Sequence, residues 1–166
     1  MPRPTDPRLV DELTGLSNEW HFQILFDFAF AAGDRGIPLT LVLFEIEGFE
    51  DYRRHEGSDA AAEVLRVFGK LLGDSTREMD VTVRLHGARF LSLLRDCNLQ
   101  GALVFVDRIQ LETSLLEEKY GLRVAVGVAA YEERMKVSDE LLDAAKRALA
   151  RSVEMGAGSV STSRDV

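Results

Sequence analysis

The sequence predicts an α/β sandwich of ferredoxin-like type, in which helices cover a mixed central sheet. Three observations lead to this prediction. Two short apolar runs, Leu39–Ile46 and Leu122–Ala130, are typical of strands buried on both faces. Four segments with helical spacing of apolar residues alternate with these runs, and a hairpin is expected between the second and third of them. A chain of 166 residues, 46% of them hydrophobic, has the size of one domain.

The first half of the chain begins with a helix expected over Trp20–Ala32, whose wide apolar face of tryptophan and phenylalanine side chains should pack in the core. Gly33 ends this helix. After the first strand, apolar residues at i, i+3, i+4 and i+7 predict a helix over Ala60–Leu72. Ser58–Asp59 are its possible caps, and Gly73 is its expected stop.

The second half begins with a predicted hairpin, Val81–Leu85 and Phe90–Leu94, joined by a tight His86–Gly87 tip. Helical periodicity continues the chain over Leu99–Leu116. After the second apolar strand, an amphipathic helix is expected over Asp139–Val153. Three parts therefore succeed one another: a proline-rich lead over residues 1–10, a domain over 11–160, and a small polar tail over 161–166 that is expected to fray.

Composition excludes several classes of function. The net charge of −8 disfavours nucleic-acid binding, which needs an excess of lysine and arginine to neutralise phosphates. No apolar run reaches the roughly 18 residues of a membrane span, and the N-terminus lacks the apolar core of a secretion signal. A cytoplasmic location without membrane contact is expected. The single cysteine, Cys97, is expected to be a small buried side chain without a disulfide or metal partner.

Two charged residues, Arg77 and Asp80, stand three positions apart just before the predicted hairpin. The hairpin tip itself, His86–Gly87–Ala88, carries no acidic residue. One interpretation of Arg77 and Asp80 is an ordinary exposed ion pair, worth a few tenths of a kcal/mol. The other is a ligand site, because a phosphate-bearing ligand of so acidic a chain needs a local group of arginines.

Four motifs, taken together, resemble the GGDEF domain of the bacterial diguanylate cyclase family. The segment 11–18, Asp-Glu-Leu-Thr-Gly-Leu-Ser-Asn, is similar to the opening motif of that family. Residues 44–49 resemble its first strand end, 84–90 stand where its R-[YL]-G-G-[DE]-E-F hairpin belongs, and 124–129 resemble its later strand. The resemblance covers nearly the whole chain and implies the fold of the family.

The resemblance also implies that the catalytic positions are substituted. The family holds Mg²⁺ with a carboxylate of the first strand, which is retained here as Glu45, and with the third hairpin residue, which falls on Ala88. The family also has an essential acidic residue in the hairpin, and the corresponding position here is Arg89. Arg89 is expected to form an ion pair with Glu45 or Glu47 in place of the metal. The other substituted or retained positions of that active site are His86, Gly87 and Phe90.

Nucleotide-recognition positions of the family differ as well. Its guanine-reading residues fall on Arg53 and Ala62, and its phosphate-binding residues fall on Val153 and Ala157. Because phosphoryl transfer depends on metal ions and positioning, the expectation is a domain that is not an enzyme, with no catalytic residue, no metal and no Mg²⁺ or other cofactor.

One site of the family is retained in the sequence, its R-x-x-D product-inhibition motif. Its arginine lies nine positions before the first hairpin glycine, which leads to Arg77 and Asp80, and a third family arginine corresponds to Arg108. The resemblance implies cyclic di-GMP as ligand. The arginines could engage or stack on guanine, and the carboxylate could accept from guanine N–H groups.

The leading hypothesis is therefore a catalytically inactive receptor that binds cyclic di-GMP at this motif and signals to a second protein surface or a second copy of the domain. One alternative is a protein-interaction or dimerisation module that binds no nucleotide. Another is a domain that binds GTP without turnover. In some family members an arginine of the partner surface completes the site, and here that position is Ala31, with Arg35 nearby.

Overall fold

The computed structural model describes residues 6–165, in which five strands form a single sheet. The strands are β1 (Leu39–Glu47), β2 (Val81–Arg84), β3 (Arg89–Arg95), β4 (Arg123–Ala130) and β5 (Val160–Thr162). Their order across the sheet is β2-β3-β1-β4-β5. β1 is antiparallel to both of its neighbours, whereas β5 runs parallel to β4. This mixed sheet, covered by helices, confirms the predicted fold class.

The residues 6–165 contain five α-helices. They are α1 (Glu19–Gly33), α2 (Phe49–Glu56), α3 (Ser58–Ser75), α4 (Leu99–Tyr120) and α5 (Ser138–Met155). Asn18 caps α1 by accepting a hydrogen bond of 3.0 Å from the amide of His21. Gly121 ends α4 in the left-handed conformation, with φ of 68°, which a glycine adopts without steric cost.

The sheet separates two hydrophobic cores. On one face it packs against α1 and α5, and on the other against α3 and α4. Alternate residues of β3 point to opposite faces, so that Leu91 and Leu93 join the α1/α5 core while Phe90 and Leu94 join the α3/α4 core. The predicted aromatic row of α1 is buried at Phe22, Phe26 and Phe30. Trp20, also expected to pack, is instead 57% exposed.

One helix, α2, was not predicted from the sequence. α2 has the sequence Phe-Glu-Asp-Tyr-Arg-Arg-His-Glu, and among these residues only Phe49 is buried. A helix this polar shows no apolar stripe. The next helix begins at Ser58 and extends through the expected stop at Gly73 to Ser75, because a single glycine within a helix costs only about 1 kcal/mol.

Two boundaries also differ from expectation. The hairpin has a four-residue turn, 85–88, in which the Leu85 amide donates to the Arg89 carbonyl at 2.9 Å, and not a two-residue tip. The tail was expected to fray, but its residues Ser161 and Thr162 belong to β5 and pair with β4. Of the predicted lead, residues 1–5 lie outside the described residues, and Pro7–Leu9 form one turn of 3₁₀-helix.

Within residues 6–165, none of the helices is long and apolar enough to cross a membrane.

Candidate functional site

The turn between α3 and β2 carries the R-x-x-D motif. The amide of Arg77 donates to Asp80 Oδ2 at 3.0 Å, and the amide of Asp80 donates to the Arg77 carbonyl at 3.0 Å. Asp80 Oδ1 accepts from the amide of Arg95, at the end of β3, at 3.2 Å. The Asp80 carboxylate therefore fastens the turn to the sheet, and only 2% of this residue is exposed.

The Arg77 side chain has a different environment. It is 58% exposed, and its Nε lies 3.6 Å from Asp80 Oδ2, which is an ion-pair contact longer than a hydrogen bond. The ordinary ion pair considered from the sequence is thus present, but only its arginine is exposed. Most N–H groups of the guanidinium are left to face solvent or a ligand.

Arg108 reaches the same region from α4. Its Nη2 donates to the carbonyl of Ser75 at 2.6 Å, at the end of α3. The guanidinium carbon lies 5.7 Å from the centre of the Phe105 ring, within cation–π distance. These two contacts hold the arginine over the α3 terminus and leave its other N–H groups available.

All three predicted ligand residues line one cavity of about 260 Å³. This cavity, which we call the arginine cavity, is bounded by Arg77 and Asp80 on the turn and by Phe105 and Arg108 on α4. Two guanidinium groups beside one aromatic ring suit an anionic ligand with a planar base, because guanidinium groups both pair with acceptors and stack. The reading of guanine N–H groups by Asp80 stays a prediction, since each of its oxygens accepts one backbone hydrogen bond and has a second lone pair, while only 3% of the side chain is exposed.

Cys97 lies next to this cavity and is buried, as the sequence predicted. Burial raises the pKa of its thiol, and the nearby Arg77 guanidinium partly offsets this by favouring the thiolate.

A second cavity, of about 360 Å³, lies at the hairpin tip where the family places its active site. Glu45, Ala88 and Arg89 line this hairpin cavity. Arg89 Nε donates to Glu45 Oε2 at 2.7 Å, which is the ion pair expected from the sequence. Gly87, in the turn, has φ of 67°, and Phe90 is fully buried in the α3/α4 core.

Three other positions singled out from the sequence, Glu47, Arg53 and Ala157, have local partners or an uncommon backbone conformation. Glu47 Oε2 accepts from the amide of Gly158 at 2.7 Å, so its carboxylate ties the tail to β1. Arg53 pairs within α2 with Glu50 at 2.8 Å. Ala157 adopts φ of 58°, which is uncommon for a residue with a side chain.

These contacts bear on whether the hairpin cavity could hold the Mg²⁺ that the family resemblance implies. Mg²⁺ requires several oxygen ligands in octahedral geometry. Glu45 is bonded to a guanidinium and Glu47 to a backbone amide, and residues 6–165 contain no group of three or more acidic, histidine or cysteine side chains arranged for a metal. The described residues therefore show no preformed group of three metal ligands, although Glu45, Glu50 and Asp51 all line the cavity, and the absence of a bound metal stays a prediction.

An ion pair between Asp11 and Arg84, which was not predicted from the sequence, joins the opening motif to the hairpin. Arg84 Nη1 lies 3.0 Å from Asp11 Oδ2, and both side chains are less than 20% exposed. Asp11 Oδ1 also accepts from the amide of Thr14 at 2.9 Å, while Arg84 Nη2 donates to the Gly87 carbonyl at 3.3 Å. The opening motif thus positions the hairpin. The sequence feature that could have indicated this ion pair is the presence of both the 11–18 motif and the 84–90 motif in one chain.

Solved structures share this fold. The GGDEF domain of DgcB from Caulobacter crescentus, in complex with c-di-GMP, superposes with a TM-score of 0.86 at 20% identity, covering 99% of each chain. Diguanylate cyclase SiaD from Pseudomonas aeruginosa, in complex with its activator SiaC, gives a TM-score of 0.85 at 22% identity over 93% of this chain and 61% of that one.

Curated relatives correct one prediction. Diguanylate cyclase A of Treponema denticola is 22% identical over 94% of this chain, and diguanylate cyclase DosC of Escherichia coli is 26% identical over 88%. The expectation that this domain is not an enzyme is wrong by this comparison, because the relatives are named as enzymes. The expectation rested on substituted side chains, yet Glu45 and Arg89, although paired with each other, still line a cavity of about 360 Å³ at the hairpin.

The match covers this chain far more fully than it covers the relatives. This chain spans 44% of the Treponema relative and 35% of DosC, so less than half the length of either. The family model for the diguanylate cyclase GGDEF domain, in contrast, matches residues 8–158, which is most of the chain. With the sheet order, the hairpin and the opening motif in place, the chain belongs to the GGDEF domain family of diguanylate cyclases.

Proposed function

We propose that this domain is a receptor for cyclic di-GMP, which binds in the arginine cavity through Arg77 and Arg108. The observation that carries the proposal is the convergence of these two side chains from different elements on one cavity beside an aromatic ring. The two residues are 31 positions apart in the chain, so no local pattern brings them together.

The chemistry of the cavity supports this ligand. Guanine offers O6 and N7 as acceptors, which a guanidinium can engage with two parallel hydrogen bonds, and its ring face can stack on a second guanidinium. Two phosphates of the ligand would be repelled by a chain of net charge −8, and the local pair of arginines offsets this repulsion. Asp80 contributes by holding Arg77 in place, whether or not it contacts the base.

The related structures add support. A c-di-GMP complex is among the solved GGDEF domains that share this fold. Another GGDEF protein of the same fold binds an activator protein. A receptor that passes its ligand state to a protein partner is consistent with both.

Isothermal titration calorimetry with cyclic di-GMP tests the proposal. We expect saturable binding to the unmodified domain, and a loss of at least tenfold in affinity for Arg77→Ala and for Arg108→Ala. Arg66→Ala is the matched control, since Arg66 is also an exposed arginine, on α3, and it pairs with Glu63 of the same helix. Arg89→Ala, at the hairpin cavity, should leave the affinity unchanged.

Two outcomes would contradict the proposal. An absence of binding at tens of micromolar ligand would favour the alternative of a nucleotide-free interaction module. A loss of affinity in Arg89→Ala with none in Arg77→Ala would place the ligand in the hairpin cavity and so favour the alternative of a domain that binds GTP.

A further inference from the structure

A larger cavity, of about 890 Å³, lies on the other face of the sheet, between α1 and the turn that precedes β2. Val81 and Leu93 of the sheet belong to the core beneath it, and Ile24 and Phe28 of α1 line its side. Small side chains along α1, such as Ala31, leave space beside the helix. We call it the α1 cavity. Its volume is within the range of small-molecule sites, which are typically about 300–1,000 Å³.

The lining of the α1 cavity is apolar and still in contact with water. Four of its large apolar side chains are more than a third exposed: Phe28 at 84%, Ile24 at 51%, Ile37 at 47% and Met79 at 40%. Scattered exposed apolar residues are normal on a protein surface, but several around one concave site indicate a binding site. A ligand with an apolar body would remove all four side chains from water.

Two arginines lie at one end of this cavity. Arg95, the last residue of β3, is the register partner of Leu39, and Arg35 precedes Leu39 by four positions. Within the described chain neither arginine forms an ion pair or a side-chain hydrogen bond, although most of the other arginines do. They can therefore receive the acidic group of a ligand without breaking an existing contact.

The acidic groups of the cavity have to be considered as well. Asp27 accepts hydrogen bonds from Ser138 Oγ at 2.7 Å and from Gln23 at 3.3 Å. Glu78 and Asp80 also line the cavity. Glu78 pairs with neither arginine, and the Asp80 carboxylate accepts from the backbone amides of Arg77 and Arg95, not from the Arg35 or Arg95 side chains. At the far end, His21 Nδ1 lies 2.9 Å from Ser17 Oγ, and burial lowers the pKa of the imidazole below its ordinary value of about 6.5, so that the neutral form predominates at pH 7. Among the described residues of the lining, the two arginines are thus the only cations.

We infer that the α1 cavity binds an amphipathic carboxylate, whose apolar chain lies against Ile24, Phe28 and Met79 and whose acid group pairs with Arg35 and Arg95. A planar guanidinium matches a carboxylate with two parallel hydrogen bonds. The site borders the arginine cavity at Asp80, but the arginines of that cavity, Arg77 and Arg108, do not line it. The inference therefore does not depend on the binding of cyclic di-GMP.

Competition with the fluorescent apolar anion 8-anilinonaphthalene-1-sulfonate tests this inference. The competitors are decanoate and decanol, which share a chain length and differ in charge, both kept below the concentration at which they aggregate. For the unmodified domain, decanoate should displace the dye at a concentration at least tenfold lower than decanol. The double variant Arg35→Gln/Arg95→Gln should bring the two competitors within about twofold of each other.

Three further variants locate the site. Ile24→Asp, at a position already 51% exposed, should abolish saturable dye binding, whereas Leu115→Asp, on α4 and 64% exposed, should leave it unchanged. Glu78→Gln should strengthen decanoate binding, because it removes a competing negative charge. Equal displacement by decanoate and decanol from the unmodified domain, or loss of dye binding in Leu115→Asp with retention in Ile24→Asp, would overturn the inference.

Discussion

Arg77 and Asp80 belong to one motif, but their side chains have different roles. The Asp80 carboxylate is buried and accepts two backbone hydrogen bonds, one of them from Arg95 in the neighbouring strand. The Arg77 guanidinium is 58% exposed and contacts Asp80 only at 3.6 Å. At the scale of single residues, one member of the motif stabilises the turn and the other is available for a ligand.

This division predicts different effects on stability. Asp80→Ala should lower the free energy of unfolding by about 2–4 kcal/mol, because two backbone N–H groups lose a charged acceptor. Arg77→Ala should cost less than about 0.5 kcal/mol, because it removes an exposed ion pair. Urea unfolding followed by circular dichroism measures both. A larger loss for Arg77→Ala than for Asp80→Ala would contradict this assignment of roles.

His21 gives the domain a pH-dependent contribution to stability. Burial lowers the pKa of its imidazole in the folded state, so below the unfolded value of about 6.5 the unfolded chain binds the additional proton more readily. The contribution of neutral His21 to the free energy of unfolding is present above a pH of about 6.5. It is lost as the pH falls below this value and through the lower pKa of the folded state.

The unfolding free energy of the unmodified domain, compared with that of His21→Gln, should therefore decrease between pH 7.5 and pH 5. The glutamine variant serves as the reference because the other titrating groups are common to both proteins. Parallel pH profiles of the two proteins would be inconsistent with a lowered pKa at His21.

At the scale of elements, β4 and α5 pack so closely that their backbones touch at Gly127. A Cβ atom added to Gly127 would lie 2.2 Å from the Leu149 amide nitrogen and 2.8 Å from the Ala145 carbonyl oxygen. Both neighbours are backbone atoms of α5 and cannot move without moving the helix. Gly127 therefore allows the helix to approach the centre of the sheet.

Gly127→Ala should prevent folding or lower the free energy of unfolding by more than about 3 kcal/mol, since overpacking against backbone cannot relax. Gly73→Ala is the matched control. There the added Cβ would meet only the end of the Leu16 side chain, at 3.3 Å, and alanine gains up to about 1 kcal/mol in helix propensity. Thermal unfolding distinguishes the two, and a stable Gly127→Ala domain would show that α5 packs less closely than described.

The sequence predicted those elements whose signal is local. β1 and β4 are short continuous apolar runs, and α3 and α5 have clear apolar stripes, so each was found near its observed bounds. α2 is polar and β5 has three residues that depend on pairing with β4, so neither carries such a signal. β5 depends on its pairing with β4, and the ion pairs within α2, Arg53–Glu50 and Arg54–Asp51, do not create an apolar stripe that could be recognised in the sequence.

The same distinction applies to the candidate site. The spacing of Arg77 and Asp80, and their correspondence with the family, could be read from the sequence. The burial of Asp80 could not, because its bond to the Arg95 amide joins residues 15 positions apart through the sheet. The α1 cavity was not foreseen either, since it is formed by a helix, a turn and two strands that come together only in the fold.

At the scale of the whole molecule, the sheet separates the arginine cavity from the α1 cavity, and the turn at Asp80 borders both. The hairpin cavity lies elsewhere and, among the described residues, shares no lining residue with either of them. Cyclic di-GMP should therefore act on one identifiable region of the domain, the end of α3, the turn and the first half of α4.

Nuclear magnetic resonance of the ¹⁵N-labelled domain, titrated with cyclic di-GMP, tests this claim most directly. We expect the largest amide shift changes in residues 75–80 and 101–108, and we expect these changes to disappear in Arg77→Ala but to persist in Arg66→Ala. Shift changes concentrated at 45–51 and 85–89, with residues 75–80 unaffected, would contradict it, because the ligand would then occupy the hairpin cavity.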